Sequence, residues 1–121
     1  MTNLEPSRPA TYIVSGGASR LGAAFVRRIS EGGNNVIIGD LDEAAGTEIA
    51  DEFDESVVFC RCDVRRDEDL ADLVLCASDV FGGLDGIVNN AVSYLDNGIT
   101  SSRADWHAAF DVTLFGGAVL L

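Results

Sequence analysis

The segment richest in chemistry is Ser15-Gly16-Gly17-Ala18-Ser19-Arg20-Leu21-Gly22. Glycines let a backbone turn tightly and approach a pyrophosphate, whose charge then rests on the N-terminus of a following helix. The same turn also serves as a plain strand-to-helix connection, so its context decides. Before it, Tyr12-Ile13-Val14 is bulky and β-favouring; after it, Leu21, Ala24, Phe25 and Ile29 fall at helical spacing. Asp40 is the second candidate, 18 residues beyond Gly22 at the end of the apolar run Val36-Ile37-Ile38-Gly39. An acid there in a dinucleotide fold accepts from the adenosine ribose hydroxyls. Asp42 is available to cap the next helix, which leaves Asp40 free for this role. An anion at position 40 also opposes a 2′-phosphate: two unit charges roughly 4 Å apart at an effective dielectric of about 20 interact by about 4 kcal/mol.

Other reactive side chains form no constellation. His107 is the only histidine, and Asp105, two residues away, lies on another side of the expected helix. It reads as a partly exposed helix residue. Cys60, Cys62 and Cys76 are odd in number and lack metal-ligand spacing, so reduced thiols and no metal site are expected. Cys60 and Cys62 share one face of a strand, where they pack a core.

The elements that must position the turn and Asp40 follow from periodicity. Helices are predicted over residues 21–29, 42–53 and 67–81 and from about residue 103; strands are predicted at 12–14, 36–39, 57–59 and 86–88. Gly32-Gly33 ends the first helix, and the third carries Leu70, Leu73, Val74, Ala77 and Phe81 on one face. Strands alternating with helices call for a parallel α/β sheet. Residues 1–10 read as a tail and 11–121 as one domain.

Of the 121 residues, 47% are hydrophobic, enough for a packed body. Acidic residues number 20 against 8 basic ones, a net charge of −12, which disfavours nucleic acid and anionic membrane surfaces. All the basic residues are arginine; the sequence contains no lysine. The N-terminal residues lack a signal-peptide pattern, and no apolar run approaches the roughly 20 residues of a membrane span. A cytoplasmic protein is therefore expected.

Four motifs in order carry a family resemblance. The glycine-rich turn resembles the Thr-Gly-x-x-x-Gly-x-Gly signature of the short-chain dehydrogenase/reductase family. Cys62-Asp63-Val64 resembles its adenine-contacting Asp-Val, and Val88-Asn89-Asn90-Ala91 its Asn-Asn-Ala-Gly. Asp105-Trp106 with Phe110-Asp111-Val112 is similar to its next helix. The resemblance spans about residues 11–121. It implies a Rossmann-type doubly wound parallel sheet, here truncated after about four strands, with NAD(H) as cofactor and an alcohol or carbonyl compound as substrate of the full-length parent. It implies that Gly16, Ser19, Leu21 and Gly22 surround the cofactor's phosphates and ribose; Arg20, in the place of a family glycine, is expected at the same site, either pairing with phosphate or crowding the pyrophosphate. Asp40 and Leu41 would hold the adenosine ribose, Asp63 and Val64 the adenine, with Asp63 accepting from its amino group. Asn89, Asn90 and Ala91 would line the path to the nicotinamide ribose.

Arg20, Val92 and Thr113 depart from the family pattern, standing where it has glycine, glycine and a proton-relay asparagine. The family's chemistry needs a serine and a tyrosine followed four residues later by lysine. The two tyrosines, Tyr12 and Tyr94, are followed at that spacing by Gly16 and Gly98, so no catalytic residue is expected within this chain. Residues 114–121 form an apolar stretch with neither C-cap nor charged last turn, as a fragment of a longer chain would. Phe110, Leu114 and Phe115 resemble the family's subunit-contact helix, and the resemblance implies a homo-oligomeric parent, a dimer or tetramer; Ile87 and Val88 are expected on a sheet edge that the parent would cover, so the isolated chain is expected to self-associate. A receiver domain, of similar length, would need clustered acids after the first strand and a late lysine. A non-catalytic cofactor sensor or interaction protein of the same descent is the remaining alternative.

Overall fold

The computed structural model describes residues 8–93 and 98–121; Tyr94 and the first seven residues of the expected tail lie outside them. Strand β1 (Thr11–Ser15) leads into helix α1 (Arg20–Glu31), then β2 (Asn35–Asp40), α2 (Glu43–Ala50), β3 (Val57–Arg61), α3 (Asp67–Phe81) and β4 (Gly86–Asn89). A single 3₁₀ turn, Gly98–Thr100, precedes α4 (Arg103–Phe110). A π-helical segment, Asp111–Gly116, then continues in right-handed helical backbone into α5 (Gly117–Leu120).

All the strand pairings are parallel, in the order β3-β2-β1-β4. Alternate residues of each strand point to opposite faces, and both faces are apolar. Ile13, Ile37 and Ile87 pack with Leu70, Leu73, Ala77 and Leu120 on the side of α3 and α5. Val14, Val36, Ile38 and Val57 pack with Ala23, Val26 and Ile49 on the side of α1 and α2. This two-sided burial is why the strands read as unbroken apolar runs. The chain leaves β1 toward β2 on one side and returns after α3 to place β4 on the other. The crevice at the carboxyl ends of β1 and β4 is therefore the topological switch point.

The first helix departs from its expected face. Val26 is fully buried with Gly22 and Ala23, whereas Leu21 and Phe25 are exposed at 62% and 39%. The stripe through 22, 23, 26 and 29 is equally helical in spacing; close packing of Gly22 on the turn selects it. Likewise Leu70, Leu73 and Ala77 are buried in α3 while Val74 is not. Helix α2 stops at Ala50 rather than 53, and β3 runs on through Arg61 beside Asp40 in register. Asp42 caps α2 as expected, its carboxylate accepting from Ala45 N at 3.0 Å. Cys60 and Cys62 do share the α3 face; Cys62 is buried just past β3. Among the described residues no helix is long and apolar enough to cross a membrane, and no cluster of His, Cys, Asp and Glu could hold a metal ion.

Candidate functional site

The glycine-rich turn is tied down from three directions. Gly16, at φ +66° where only glycine is unstrained, donates its amide to Gly39 O at 2.7 Å. Ser19 is the N-cap of α1; its hydroxyl donates to Gly16 O at 2.7 Å and accepts from Gly22 N at 3.2 Å. Asn90, just beyond β4, donates from Nδ2 to Ser15 O at 3.1 Å and to Gly16 O at 3.0 Å. The buried Ser15 hydroxyl accepts from the amides of Asn90 and Ala91 at 3.0 and 3.1 Å, which locks the ends of β1 and β4 together. Arg20 and Leu21 open α1, and the first-turn amides of a helix have no intrahelical acceptor. This end of the helix is suited to an anion.

Asp40 faces the turn. Its Oδ2 accepts from Ala18 N at 3.0 Å and its Oδ1 from Asp42 N at 2.9 Å. The carboxylate is thereby fixed between the phosphate-type turn and the start of α2, with acceptor capacity left on each oxygen.

Asp63 sits in the loop after β3. Its Oδ1 accepts from Arg65 N at 3.0 Å and Arg65 Nε at 2.9 Å, and its Oδ2 accepts from Arg65 Nη2 at 2.8 Å. This guanidinium contact draws the Asp63 carboxyl down to about 2. The loop is held from behind by Asp63 N donating to Asp69 Oδ2 at 2.9 Å. It also rests on the π-helical segment: a Cβ on Gly116 would meet Val64 O at 2.6 Å. Beneath it, burial pushes the Cys62 thiol up to about 12 and the Cys60 thiol up to about 11, so both are inert neutral packing groups at ordinary pH.

These groups surround one cleft of about 810 Å³. Of the residues expected at the site, Gly16, Ser19, Arg20, Leu21, Asp40, Leu41, Asp63, Val64, Asn90 and Ala91 line it. Gly22 and Asn89 do not. Gly22 lies behind the turn, where a Cβ would collide with Gly16 O. Asn89 follows Ile87 by two residues and so takes the α5 side of β4, its amide against Gly117. Arg65 and Ser93 line the cleft without an expected role there, as does Val112, expected only as part of the family-like helix. Arg65 carried a signal in the sequence, a cation two residues from an acid in a turn; the others become site residues only through tertiary packing.

Comparison with known proteins agrees with this geometry. The model of a family described as enoyl-(acyl carrier protein) reductase matches residues 16–121. The chain belongs to the short-chain dehydrogenase/reductase family. It is 42% identical over 82 residues to the 3-hydroxyacyl-CoA dehydrogenase type-2 of Drosophila melanogaster, covering 68% of this chain and 32% of that protein. It is 47% identical over 79 residues to the L-fucose dehydrogenase of Bos taurus, covering 65% of this chain and 29% of that one. The chain thus spans about a third of the length of these relatives. Among solved structures, a 3-ketoacyl-(acyl-carrier-protein) reductase from Brucella melitensis complexed with NADH superposes with a TM-score of 0.87 at 24% identity, over 92% of this chain and 46% of that one. A glucose/ribitol-type short-chain dehydrogenase/reductase from the same organism gives 0.86 at 26% identity, over 92% and 48%.

The three departures from the pattern of short-chain dehydrogenases have definite places. Arg20 is exposed at the start of α1, and Val92, 49% exposed, flanks the cleft. Thr113 lies in the π-helical segment, where its hydroxyl accepts from Ser93 N at 3.1 Å. His107 is exposed on α4, as expected.

Proposed function

We propose that this chain binds NAD(H) across the carboxyl ends of its strands, and that it forms the cofactor-binding part of a dehydrogenase/reductase acting on an alcohol or carbonyl compound. The observation that carries this is one cleft that joins the amide-rich turn at the start of α1 to two fixed carboxylates, Asp40 and Asp63. The fit to a dinucleotide is chemical as well as spatial. At Gly16 a Cβ would meet Ala91 Cα and Asn90 Nδ2 at 3.0 Å, so only a bare backbone keeps the turn open there. The first amides of α1, at Arg20 and Leu21, offer donors to a pyrophosphate, with the Arg20 side chain beside them as a counter-charge. Asp40 offers acceptors to a ribose diol. Leu41 and Val64 flank a ring with apolar surface, and Asp63 offers an acceptor to an amino group. Asn90 shapes the turn from behind while Ala91 lines the far end of the cleft, toward which a nicotinamide ribose would extend.

The cofactor, when bound, would carry the hydride, given up by NADH to a carbonyl or taken up by NAD+ from an alcohol. This chain's residues orient it: Asp40 fixes the adenosine ribose, the turn holds the diphosphate, and Ala91 and Val92 border the nicotinamide end. Two curated relatives named as dehydrogenases, at 42% and 47% identity, support the reaction class. Asp40 also sets the preference for NAD(H) over NADP(H), because its side chain stands where a 2′-phosphate would lie. Calorimetric titration with each dinucleotide tests both points. NAD(H) should bind at least about tenfold more tightly than NADP(H), a difference of about 1.4 kcal/mol. Asp40→Ser with Leu41→Arg should narrow or reverse the ratio. Equal or tighter binding of NADP(H) to the unaltered chain would overturn the assignment of Asp40.

A further inference from the structure

The Asp63–Arg65 pair has a geometry that ordinary surface ion pairs lack. Both oxygens of one carboxylate are engaged by a single arginine that is its neighbour but one in sequence, through Nε, Nη2 and the backbone amide. The planar fork of a guanidinium matches a carboxylate edge and fixes its plane as well as its position. The Asp63 side chain is only 13% exposed and that of Arg65 49%, so the arginine covers the acid from the solvent side while both line the cleft.

An ionised carboxylate can accept about four hydrogen bonds. Oδ1 already accepts two and Oδ2 one. The acceptor site that remains is on Oδ2, and the clamp holds it in one orientation. The backbone of the loop does not depend on Arg65, because Asp69 and the approach of Val64 to Gly116 hold it independently. Arg65 therefore governs the aim of one carboxylate rather than the course of the chain.

We propose that Arg65 is a positioning residue for base recognition: it holds the Asp63 carboxylate so that its one remaining acceptor site meets a 6-amino purine, and so makes the cleft selective for adenine over a base with oxygen at that position. The proposal rests on the dinucleotide reading above. A fixed acceptor rewards a donor and rejects another acceptor. A carboxylate free to rotate does neither well, since it must be immobilised on binding and can swing away from a mismatched base.

The test uses the 121-residue chain and two probes, NADH and reduced nicotinamide hypoxanthine dinucleotide, with affinities from fluorescence titration. The unaltered chain should bind NADH at least about tenfold more tightly than the hypoxanthine analogue, as expected for one hydrogen bond to a charged group. R65A should weaken NADH by about tenfold and the analogue by less than about threefold, so the preference collapses. D63N should do the same, and adding R65A to D63N should cost nothing more, because Arg65 acts through Asp63. R65K, which keeps the charge but not the fork, should restore part of the preference. Thermal unfolding of each variant verifies folding, and R65Q carries the same expectation if R65A does not fold. Equal losses for both probes in R65A, or an unchanged ratio, would overturn the role of Arg65 while leaving the dinucleotide reading intact. An unaltered chain that bound neither probe would overturn both.

Discussion

Replacing Gly22 with alanine puts a methyl group into the tightest contact of the site. A Cβ at this position would collide with Gly16 O and stand 2.8 Å from both Gly17 Cα and Asn90 Nδ2. Two of those three atoms are backbone, so the strain cannot be relieved by turning a flexible side chain. Either α1 withdraws from the turn or Asn90 gives up its bond to Gly16 O. Overpacking of this kind costs about 1–3 kcal/mol, and a lost hydrogen bond about 1 kcal/mol more. Alanine's better helix propensity returns at most about 1 kcal/mol, the value for a helix interior, because Gly22 lies in the first turn of α1. The net expectation for Gly22→Ala is a loss of about 2 kcal/mol, a large share of the 5–15 kcal/mol that typically holds a domain folded. Urea unfolding followed by far-ultraviolet circular dichroism measures it, with the midpoint falling by about 1 M at unchanged slope. NADH affinity should fall in the same variant, because the turn that offers the phosphate amides is the part displaced. A midpoint equal to or above that of the unaltered chain would show that propensity outweighs the contact, and that Gly22 does not buttress the turn.

Three further outcomes are expected. Because the Asp63 carboxyl is held at about 2, below its ordinary value, its contribution to stability is present above about pH 4 and is lost as pH falls through 2; carboxyl-carbon NMR titration should show this low value rising toward the ordinary one in R65A. Cys62, buried and held up to about 12, should resist a thiol reagent at pH 8 in the folded chain and react fully in denaturant, whereas prompt native-state labelling would contradict its place in the core. Phe110, Leu114, Phe115 and Val119 are each about half exposed on the C-terminal helical run, and β4 pairs only with β1 among the described residues, while the chain carries a net charge of −12. Sedimentation should therefore show association that grows as salt screens the charge, and a monomer at both low and high salt would refute this.

The alternation of apolar runs and helical periodicities made the strand and helix order readable, because the central strands β1 and β2 are buried on both faces and α1, α2 and α3 are capped or stopped by local chemistry at Ser19, Gly32, Asp42 or Gly82. The turn and Asp40 were readable for a similar reason: their context is local in sequence. What the sequence hid was tertiary. The apolar residues of α1 form one broad arc from Leu21 through Ile29 to Ala23, and the seat of Gly22 against Gly16 puts the Gly22–Val26 side of that arc in the core. Asn89 and Asn90 are adjacent and identical in type, yet strand alternation sends one to α5 and the other to the turn. The π-helical segment that brings Thr113 to Ser93 and Gly116 to Val64 leaves no periodicity signal in so short a stretch.

The most direct test of the central claim is amide chemical-shift mapping of the isotope-labelled chain during titration with NADH. Saturable shifts should cluster at residues 16–22, at Asp40 and Leu41, at residues 63–65 and at Asn90 and Ala91, four segments that follow β1, β2, β3 and β4 and meet at the cleft. The pocket at the opposite end of the sheet, near Asn35, Val58 and Phe81, should stay silent. Shifts centred on that opposite pocket, or no saturable shifts at millimolar NADH, would contradict a dinucleotide site at the carboxyl ends of these strands.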